Sequence, residues 1–382
     1  MLPNIAVPWQ PCSMSFSACS IVFSILRLKS ELKTDIEAAN IPLIFVIIKI
    51  YIKNISSKVY KYHMKILAVQ NRMGIGDTII FLPFIKALFE KYNSPISLLV
   101  KESSKADQYL HQTNYIDKII TLERDKNNNK HKGFIGSFNL IKDLKKENFE
   151  KIFIFNSSLR FNLIARLSGI SKIYQYPLFQ KTDQHIIDTP KKFFIDKINL
   201  KVSGDPEIQI DNSIILDSIK KFNINKDETN ILLGIGGSGP TKRVPSKIFL
   251  SVIEKISKTK NCKFFLATGK NNEEQIILNE ILNSKFKNIC FPLDNFSIKE
   301  TLPIIKNCNL SICNDSSFSH LSAALGIKTI TLMVDTPIIY GNYNSRMFPI
   351  IPEGVETVNH HTDGKEKINP EKVYKKVIEI LN

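Results

Sequence analysis

One segment constrains the fold more than any other, residues 309–335, which read NLSICNDSSFSHLSAALGIKTITLMVD. An apolar run ends at Asn314, Asp315 is a preferred helix N-cap, and Gly326 is typical of the end of that helix. A run rich in β-branched residues follows. This order predicts a βαβ unit, and because such crossovers are right-handed, it predicts a parallel sheet covered by helices.

The start of this predicted helix is suited to an anion. Ser316 and Ser317 would present backbone N–H groups where the helix dipole and the unpaired donors favour a phosphate. His320 lies one turn further along and can reach the same anion. For the unit in isolation a second interpretation stays open, in which Asp315 only caps the helix and His320 is only a packed histidine.

The same strand, loop and helix order occurs in both halves of the chain. In the first half, KILAVQ predicts a strand, NRMGIGD a glycine loop and residues 78–92 a helix. In the second half the alternation restarts at Ile231, and the pattern weakens between the halves, around residues 203–227. We therefore predict a leader at residues 1–63 and two α/β domains with a cleft between them, at residues 64–215 and 225–382.

A loop of small residues, GIGGSGPTKRVP at positions 234–245, precedes the first predicted helix of the second half. Its glycines let the backbone approach a ligand closely. Lys242 and Arg243, at its end, can neutralise a diphosphate leaving group without a metal ion. The loop matches neither the Walker pattern GxxxxGK[ST] nor GxGxxG, and a solvated turn is the alternative interpretation.

The glycine loop of the first half offers a carboxylate, Asp77, in the sequence GIGD. Attack by an acceptor hydroxyl on an anomeric carbon needs such a group to receive the proton. The competing interpretation is a helix cap, because aspartate is a preferred N-cap and Thr78 would begin the helix. The sequence contains no Asp-X-Asp pair, which disfavours a metal-bridged diphosphate site.

The chain has 382 residues, enough for two domains, and a formal net charge of +16. This charge favours an anionic partner, which can be nucleic acid, an anionic membrane surface or a phosphorylated substrate. A compositional bias toward lysine explains it equally well. The six cysteines form no CxxC pair and no Cys/His cluster, which is typical of buried thiols in a reducing compartment.

The leader contains an apolar run at residues 41–52, IPLIFVIIKIYI, which is too short to span about 30 Å of hydrocarbon. Lys49, Lys53, Lys58 and Lys61 accompany it, with no acidic residue between positions 41 and 63. We expect a helix that lies in the interface of an anionic leaflet. An ordinary packing helix, or a start codon placed ahead of the true one at Met64, is the alternative.

Taken together, three segments resemble glycosyltransferase family nine, the bacterial heptosyltransferases that build the lipopolysaccharide core. The first, KILAVQNRMGIGDTIIFLPFIKAL, is similar to the family's strand, GD loop and TLP helix. The second, GGSGPTKRVP, is similar to a loop that ends in Lys-Arg-Trp-Pro, and the third, NDSSFSHLSAALG, to Asn-Asp-Ser-Gly-x-x-His-Leu-x-Ala-Ala. The resemblance covers residues 64–349 and leaves out the leader.

This resemblance implies the GT-B fold, an α/β architecture of two Rossmann-like domains whose parallel sheets face an interdomain cleft. It implies inverting, metal-independent transfer of a heptose-type sugar from a nucleotide sugar, usually ADP-heptose, with no cofactor, no metal site and no nucleic-acid partner. By position, Asp77 is similar to the catalytic base and Lys242 to the phosphate-binding lysine. The donor-binding residues implied are Gly76, Gly237, Ser238, Lys242, Arg243, Phe296, Asp315, Ser316, Ser317 and His320.

The implied acceptor is a phosphorylated glycolipid of the lipopolysaccharide core or a related surface glycan. We therefore expect a cytoplasmic protein, peripheral at the inner face of the cytoplasmic membrane. Two alternatives stay open: a different nucleotide sugar, used for O-antigen or capsule, and a catalytically silent glycan-binding protein, which the retention of Asp77 disfavours.

The sequence departs from the family pattern at several points. Val244 replaces the usual tryptophan, and Ser317 replaces a glycine. Asn271 stands where the family has an acidic residue for the donor ribose, with Glu273 nearby, and DTPIIYGNY replaces Gly-Pro-Thr and a short loop. These last two differences concern the donor more than the fold.

Overall fold

The computed structural model describes residues 64–72, 74–124, 129–178 and 185–382, in which strands and helices alternate in both halves. The predicted leader at residues 1–63 lies outside the described residues. No helix in the described part of the chain is long and apolar enough to cross a membrane.

Five parallel strands form the first sheet, in the order β3-β2-β1-β4-β5. Side chains of β1 alternate between two apolar clusters, with Ile66 and Ala68 on one face of the sheet and Leu67 and Val69 on the other. Because both faces are covered, the first four residues of the strand are all apolar, and only Gln70 at its end is polar. The strands are Ile66–Gln70 (β1), Ile96–Lys101 (β2), Ile116–Leu122 (β3), Lys151–Ile154 (β4) and Lys172–Gln175 (β5). The helices of this half are Ile75–Ile80 (α1), Leu82–Tyr92 (α2), Ala106–Tyr109 (α3), Gly133–Glu147 (α4), Leu159–Leu167 (α5) and Asp188–Ile198 (α6).

Six parallel strands form the second sheet, in the order β11-β10-β9-β6-β7-β8. Counted from β6, this is the doubly wound order 3-2-1-4-5-6 of the Rossmann fold, which confirms the predicted α/β class. The strands are Thr229–Gly234 (β6), Cys262–Ala267 (β7), Cys290–Pro292 (β8), Leu310–Asn314 (β9), Thr329–Leu332 (β10) and Met347–Ile350 (β11). The helices, after Asn212–Lys221 (α7), are Ser246–Ser257 (α8), Asn272–Leu282 (α9), Ile298–Lys306 (α10), Ser317–Ala324 (α11), Ile339–Asn342 (α12) and Pro370–Leu381 (α13).

The sequence predicts one continuous helix over residues 78–92, and this prediction is wrong. The structure has two helices, α1 and α2, which meet at Phe81. Pro83 has no N–H to donate to the carbonyl group four residues earlier, so the first helix ends and a second begins. The first helix also starts earlier than expected, at Ile75, and this places Asp77 inside it.

The stretch predicted to separate the halves contains the helix α7. Its N-cap is Asp211, whose carboxylate accepts a hydrogen bond from the Ser213 N–H at 2.9 Å. The helix packs on the second half, because Asn307 donates to the carbonyl of Ile215 and the hydroxyl of Ser218. The strands of the two sheets fall within residues 66–175 and 229–350, and the domain division itself stays a prediction.

One apolar cluster contains residues of both halves. It includes Phe81 and Leu88 from the first half and Leu232, Phe265 and Leu302 from the second, all buried. Residues 63–382 accordingly form one compact unit.

Candidate active site

A cleft of about 1000 Å³ opens between the loops that follow the strands of the two sheets. In doubly wound folds, ligands bind outside the carboxyl ends of the strands, where the strand order reverses. In the second sheet this point lies between β6 and β9. The cleft brings together all eleven residues predicted from the sequence, which are Gly76, Asp77, Gly237, Ser238, Lys242, Arg243, Phe296, Asp315, Ser316, Ser317 and His320.

Asp77 lies in the first turn of α1, whose N-cap is Gly74. Asp77 is therefore not the cap, and the competing interpretation of this carboxylate is wrong. The loop is held by two hydrogen bonds: Gln70 Nε2 donates to the carbonyl of Asp77 at 3.0 Å, and Thr78 Oγ1 donates to the carbonyl of Gly74 at 3.2 Å. The Asp77 side chain lines the cleft.

Burial raises the pKa of the Asp77 carboxyl above its ordinary value. The positive charges of Arg72 and Lys242 act in the opposite direction, and the negative charge of Asp315 adds to the rise. A carboxylate with a raised pKa is a stronger base than an exposed one, which is what proton abstraction from a hydroxyl requires.

Gly76 fits closely against His320 of helix α11, across the cleft. A Cβ atom at this position would lie 2.5 Å from His320 Cδ2 and 2.6 Å from its Nε2. Only glycine leaves room for α1 and α11 at this distance. The contact sets the separation between the two halves at the position of Asp77.

Gly76→Ala is therefore expected to lower both turnover and the melting temperature. Forcing an extra methyl group into a packed contact typically costs about 1–3 kcal/mol. Gly239→Ala is the matched control, because its added Cβ would have no atom nearer than Thr241 Oγ1 at 4.0 Å. Thermal unfolding and initial rates measure the difference, and wild-type values for Gly76→Ala would show that α1 and α11 do not touch.

Lys242 and Asp315 form an ion pair at 2.8 Å on the second half of the cleft. The Asp315 side chain is only 6% exposed. Burial alone would raise the pKa of this carboxyl, but the charge of Lys242, together with hydrogen bonds from Lys242 and Thr336, outweighs burial and lowers the pKa, so Asp315 is ionised. The lysine ammonium lies where it would meet a diphosphate bound at the start of α11.

The prediction that Asp315 caps this helix is wrong. Ser316 occupies the N-cap position and makes no side-chain capping hydrogen bond, and the carboxylate of Asp315 accepts a hydrogen bond from Lys242 instead of capping the helix. Ser316, Ser317 and Phe318 line the cleft at the first turn. First-turn N–H groups have no partner within their own helix, so an anion is a suitable ligand here.

Arg243 stabilises the loop of small residues at positions 234–245. Its Nε donates to the carbonyl of Gly237 at 2.9 Å, and its Nη1 pairs with Glu273. These contacts hold the guanidinium against the protein, so the geometry favours a supporting role over the predicted diphosphate clamp, which stays untested.

The buried Glu274 was missed by the sequence interpretation. Its Oε1 accepts a hydrogen bond from the Gly237 N–H at 2.7 Å, and it also accepts one from the side chain of Asn271. Asn271 is the N-cap of α9, and its Oδ1 accepts from the Glu274 N–H at 3.0 Å. The sequence Asn-x-x-Glu was the available signal, since a glutamate three residues after a cap is a common helix start. Glu274, not Glu273, is the acidic residue that lines the cleft at this end.

His320 is buried, and burial lowers its pKa to about 4. The ring is therefore neutral near neutral pH. Its Nδ1 lies 2.7 Å from Tyr343 Oη, the two rings stack with centroids 5.6 Å apart, and its Nε2 is 3.9 Å from Asp315 Oδ1. These contacts favour a packing role beside Asp315, and the predicted contact with a phosphate stays a prediction.

Phe296 lines the cleft and packs in an aromatic group of the second half. Its ring lies 5.2 Å from that of Phe222 and 6.3 Å from that of Phe291.

Within the described residues no group of His, Cys, Asp and Glu is arranged to hold a metal ion. Four cysteines of the described part, Cys262, Cys290, Cys308 and Cys313, are free and buried.

Solved structures with the same fold include a heptosyltransferase and a glycosyltransferase of family 9. The chain superposes on E. coli ADP-heptose lipopolysaccharide heptosyltransferase II with a TM-score of 0.65 and 16% identity, over 83% of this chain and 98% of that one. On a family 9 glycosyltransferase from Veillonella parvula the TM-score is 0.67, with 17% identity over 84% and 97% of the chains. The fold is therefore GT-B, as predicted.

Sequence comparison gives the same relationship. Lipopolysaccharide heptosyltransferase 1 of Campylobacter coli is 23% identical over 322 residues, which cover 77% of this chain and 91% of the relative. The profile of glycosyltransferase family 9 (heptosyltransferase) matches residues 138–348, more than half of the chain. The resemblance noted in the sequence is confirmed, and the chain is a glycosyltransferase that belongs to family 9.

Proposed function

We propose that the protein transfers a heptose-type sugar from ADP-heptose to a phosphorylated glycolipid of the lipopolysaccharide core or a related surface glycan. The observation that carries this proposal is the arrangement of one cleft, with Asp77 on one wall and the Lys242–Asp315 pair and the start of α11 on the other. By their names, the Campylobacter coli relative is a lipopolysaccharide heptosyltransferase and the E. coli structure is an ADP-heptose lipopolysaccharide heptosyltransferase. We place the reaction in the cytoplasm, at the inner face of the cytoplasmic membrane, where a lipid-linked acceptor is accessible.

In this mechanism the Asp77 carboxylate accepts the proton of the acceptor hydroxyl as its oxygen attacks the anomeric carbon. The bond from that carbon to the diphosphate oxygen breaks as the new bond forms, which inverts the configuration. The departing diphosphate carries the negative charge. Lys242 and the first-turn N–H groups of α11 stabilise that charge without a metal ion.

A panel of donors tests the proposal. Release of nucleoside diphosphate is measured with ADP-heptose, other ADP-sugars and UDP-sugars, in the presence of a lipopolysaccharide-core acceptor. We expect turnover with ADP-heptose and no loss of rate in EDTA.

The other outcomes are informative. Turnover with a UDP-sugar only would assign a different nucleotide sugar, as in O-antigen or capsule synthesis, and binding without turnover would indicate a silent glycan-binding protein. Activity that is lost in EDTA and restored by Mg²⁺ or Mn²⁺ would contradict the metal-free mechanism.

A further inference from the structure

Two neighbouring helices of the first half expose large apolar side chains to solvent. The residues are 44 to 80% exposed and lie on α4 and α5; we call them the α4–α5 surface, and they are Phe134, Ile135, Phe138, Leu159, Leu163 and Leu167. Exposed apolar groups of this size on one face mark an interaction surface more often than isolated residues do.

On each helix the apolar side chains of the α4–α5 surface are grouped together. Leu159, Leu163 and Leu167 follow the i, i+4, i+8 spacing of one helix face. The rings of Phe134 and Phe138 touch edge to face, with centroids 5.1 Å apart.

One arginine at the start of α5 is hydrogen-bonded to residues near the start of α4. Arg160 donates from Nε to Ser137 Oγ at 2.8 Å and from Nη2 to the carbonyl of His131 at 2.8 Å. The other face of α5 is apolar as well, because Phe161, Ile164 and Ala165 are buried against the sheet. A helix that is apolar on both faces is normally covered on both.

This surface begins at the same edge of the sheet as the candidate base. Helices α4 and α5 follow the carboxyl ends of β3 and β4, and β4 pairs directly with β1, which leads to Asp77. The loops after β1 and β4 are joined by a hydrogen bond of 3.1 Å from Asn156 Nδ2 to Asn71 Oδ1. An occupant of the α4–α5 surface would thus lie beside the first-half wall of the cleft.

The charge around the surface identifies its occupant. Residues 129–167 contain eight lysines and arginines and three acidic residues. Lys132, Lys142, Lys145, Lys146 and Arg166 are exposed. A second copy of this chain would bring like charges together, whereas an anionic phospholipid surface accepts both the apolar side chains and the basic groups.

We propose that the α4–α5 surface docks on an anionic phospholipid membrane, inserting its apolar side chains among the headgroups and directing the first-half wall of the cleft toward the bilayer. This inference deepens the proposed function, since the acceptor of that function is lipid-linked. Membrane binding itself does not depend on which sugar is transferred.

Co-sedimentation of the full chain with acceptor-free vesicles tests the proposal. The probe is a mixture of phosphatidylethanolamine and phosphatidylglycerol, with phosphatidylcholine vesicles for comparison. Phe134→Ser, Ile135→Ser and Leu163→Ser are combined in one variant. The matched control combines Ile195→Ser, Leu216→Ser and Ile276→Ser, which remove apolar groups that are 50 to 57% exposed from other helices.

We expect the α4–α5 variant to bind anionic vesicles about tenfold more weakly than the wild type, and the control variant to bind as the wild type does. Binding should fall with salt and be weak on phosphatidylcholine. Both variants should keep the wild-type melting temperature and the wild-type rate on a delipidated, water-soluble acceptor.

Three results would overturn the proposal. Wild-type chain that stays in the supernatant shows no membrane surface at all, and an α4–α5 variant that binds as tightly as the wild type shows that another segment, such as the predicted leader helix, carries the binding. A variant that turns a dimer into a monomer in sedimentation velocity, with vesicle binding unchanged, would assign the surface to a second copy. Because the vesicles contain no acceptor, these results are separate from the donor panel.

Discussion

Asp77→Asn is expected to lower kcat/KM by about 10²- to 10⁴-fold, the loss that typically follows removal of a general base. The affinity for the donor, measured by calorimetry, should be nearly unchanged, because the groups proposed to hold the diphosphate lie on the other wall of the cleft. Asp294→Asn is the matched control, since Asp294 lines the same cleft on the second half and has no proposed part in proton transfer. A variant at position 77 with the wild-type rate would reduce Asp77 to a structural residue.

The pH dependence gives an independent check on this residue. The wild-type rate should fall as the pH drops through the pKa of Asp77, which burial places above the ordinary value for an aspartate. Because the pKa is raised in the folded state, folding favours the protonated carboxyl. Its stabilising contribution is present below the pKa of the unfolded chain and is lost as the pH rises through the folded pKa. Near neutral pH, Asp77→Asn should therefore keep or raise the melting temperature while it removes activity.

Lys242→Ala is expected to weaken nucleotide binding, turnover and stability together. The substitution leaves Asp315 buried without its partner, and breaking a buried pair in this way costs roughly 3 kcal/mol. The same ammonium is the proposed ligand of the diphosphate. Isothermal calorimetry with ADP, initial rates and thermal unfolding measure the three effects.

Two further variants separate these effects. Lys242→Ala with Asp315→Asn removes the buried charge and should regain part of the stability but not the activity. Lys247→Ala removes another ion-paired lysine, whose pair with Glu366 is exposed, and should change each quantity little. If Lys242→Ala binds ADP as the wild type does, the lysine is a structural partner of Asp315 alone.

The strands that lead to the cleft were predictable because a strand buried on both faces is mainly apolar, as in ILAVQ at β1 and LSICN at β9. The glycine loops after β1 and β6 marked the cleft. The strands β5 and β11 were missed. Both are only partly buried; KIYQ contains two polar residues, and MFPI contains a proline, which is uncommon inside a strand. The helix α7 carried a readable signal, a capping Asp211 before spaced isoleucines, within a stretch that we interpreted as a boundary.

The roles of single side chains in the cleft were less predictable, because they depend on partners distant in sequence. A cap and an ion-pair partner are both normal uses of an aspartate that precedes a helix. Only the fold shows that Lys242, 73 positions away, takes the carboxylate of Asp315. In the same way Glu274 is bonded to the N–H of Gly237, 37 positions earlier, which no local pattern contains.

The apolar cluster that contains Phe81 and Leu88 of the first half and Leu232 and Phe265 of the second has a consequence for cooperativity. If either half were cut free, it would expose to water the apolar surface that the other half covers, and much of the free energy of folding would be lost with it. The two sheets thus differ in strand order but share one apolar cluster. Asp77 of one half and Lys242 of the other therefore lie in a unit that we expect to unfold cooperatively. A destabilising substitution in either wall of the cleft should destabilise the other wall as well.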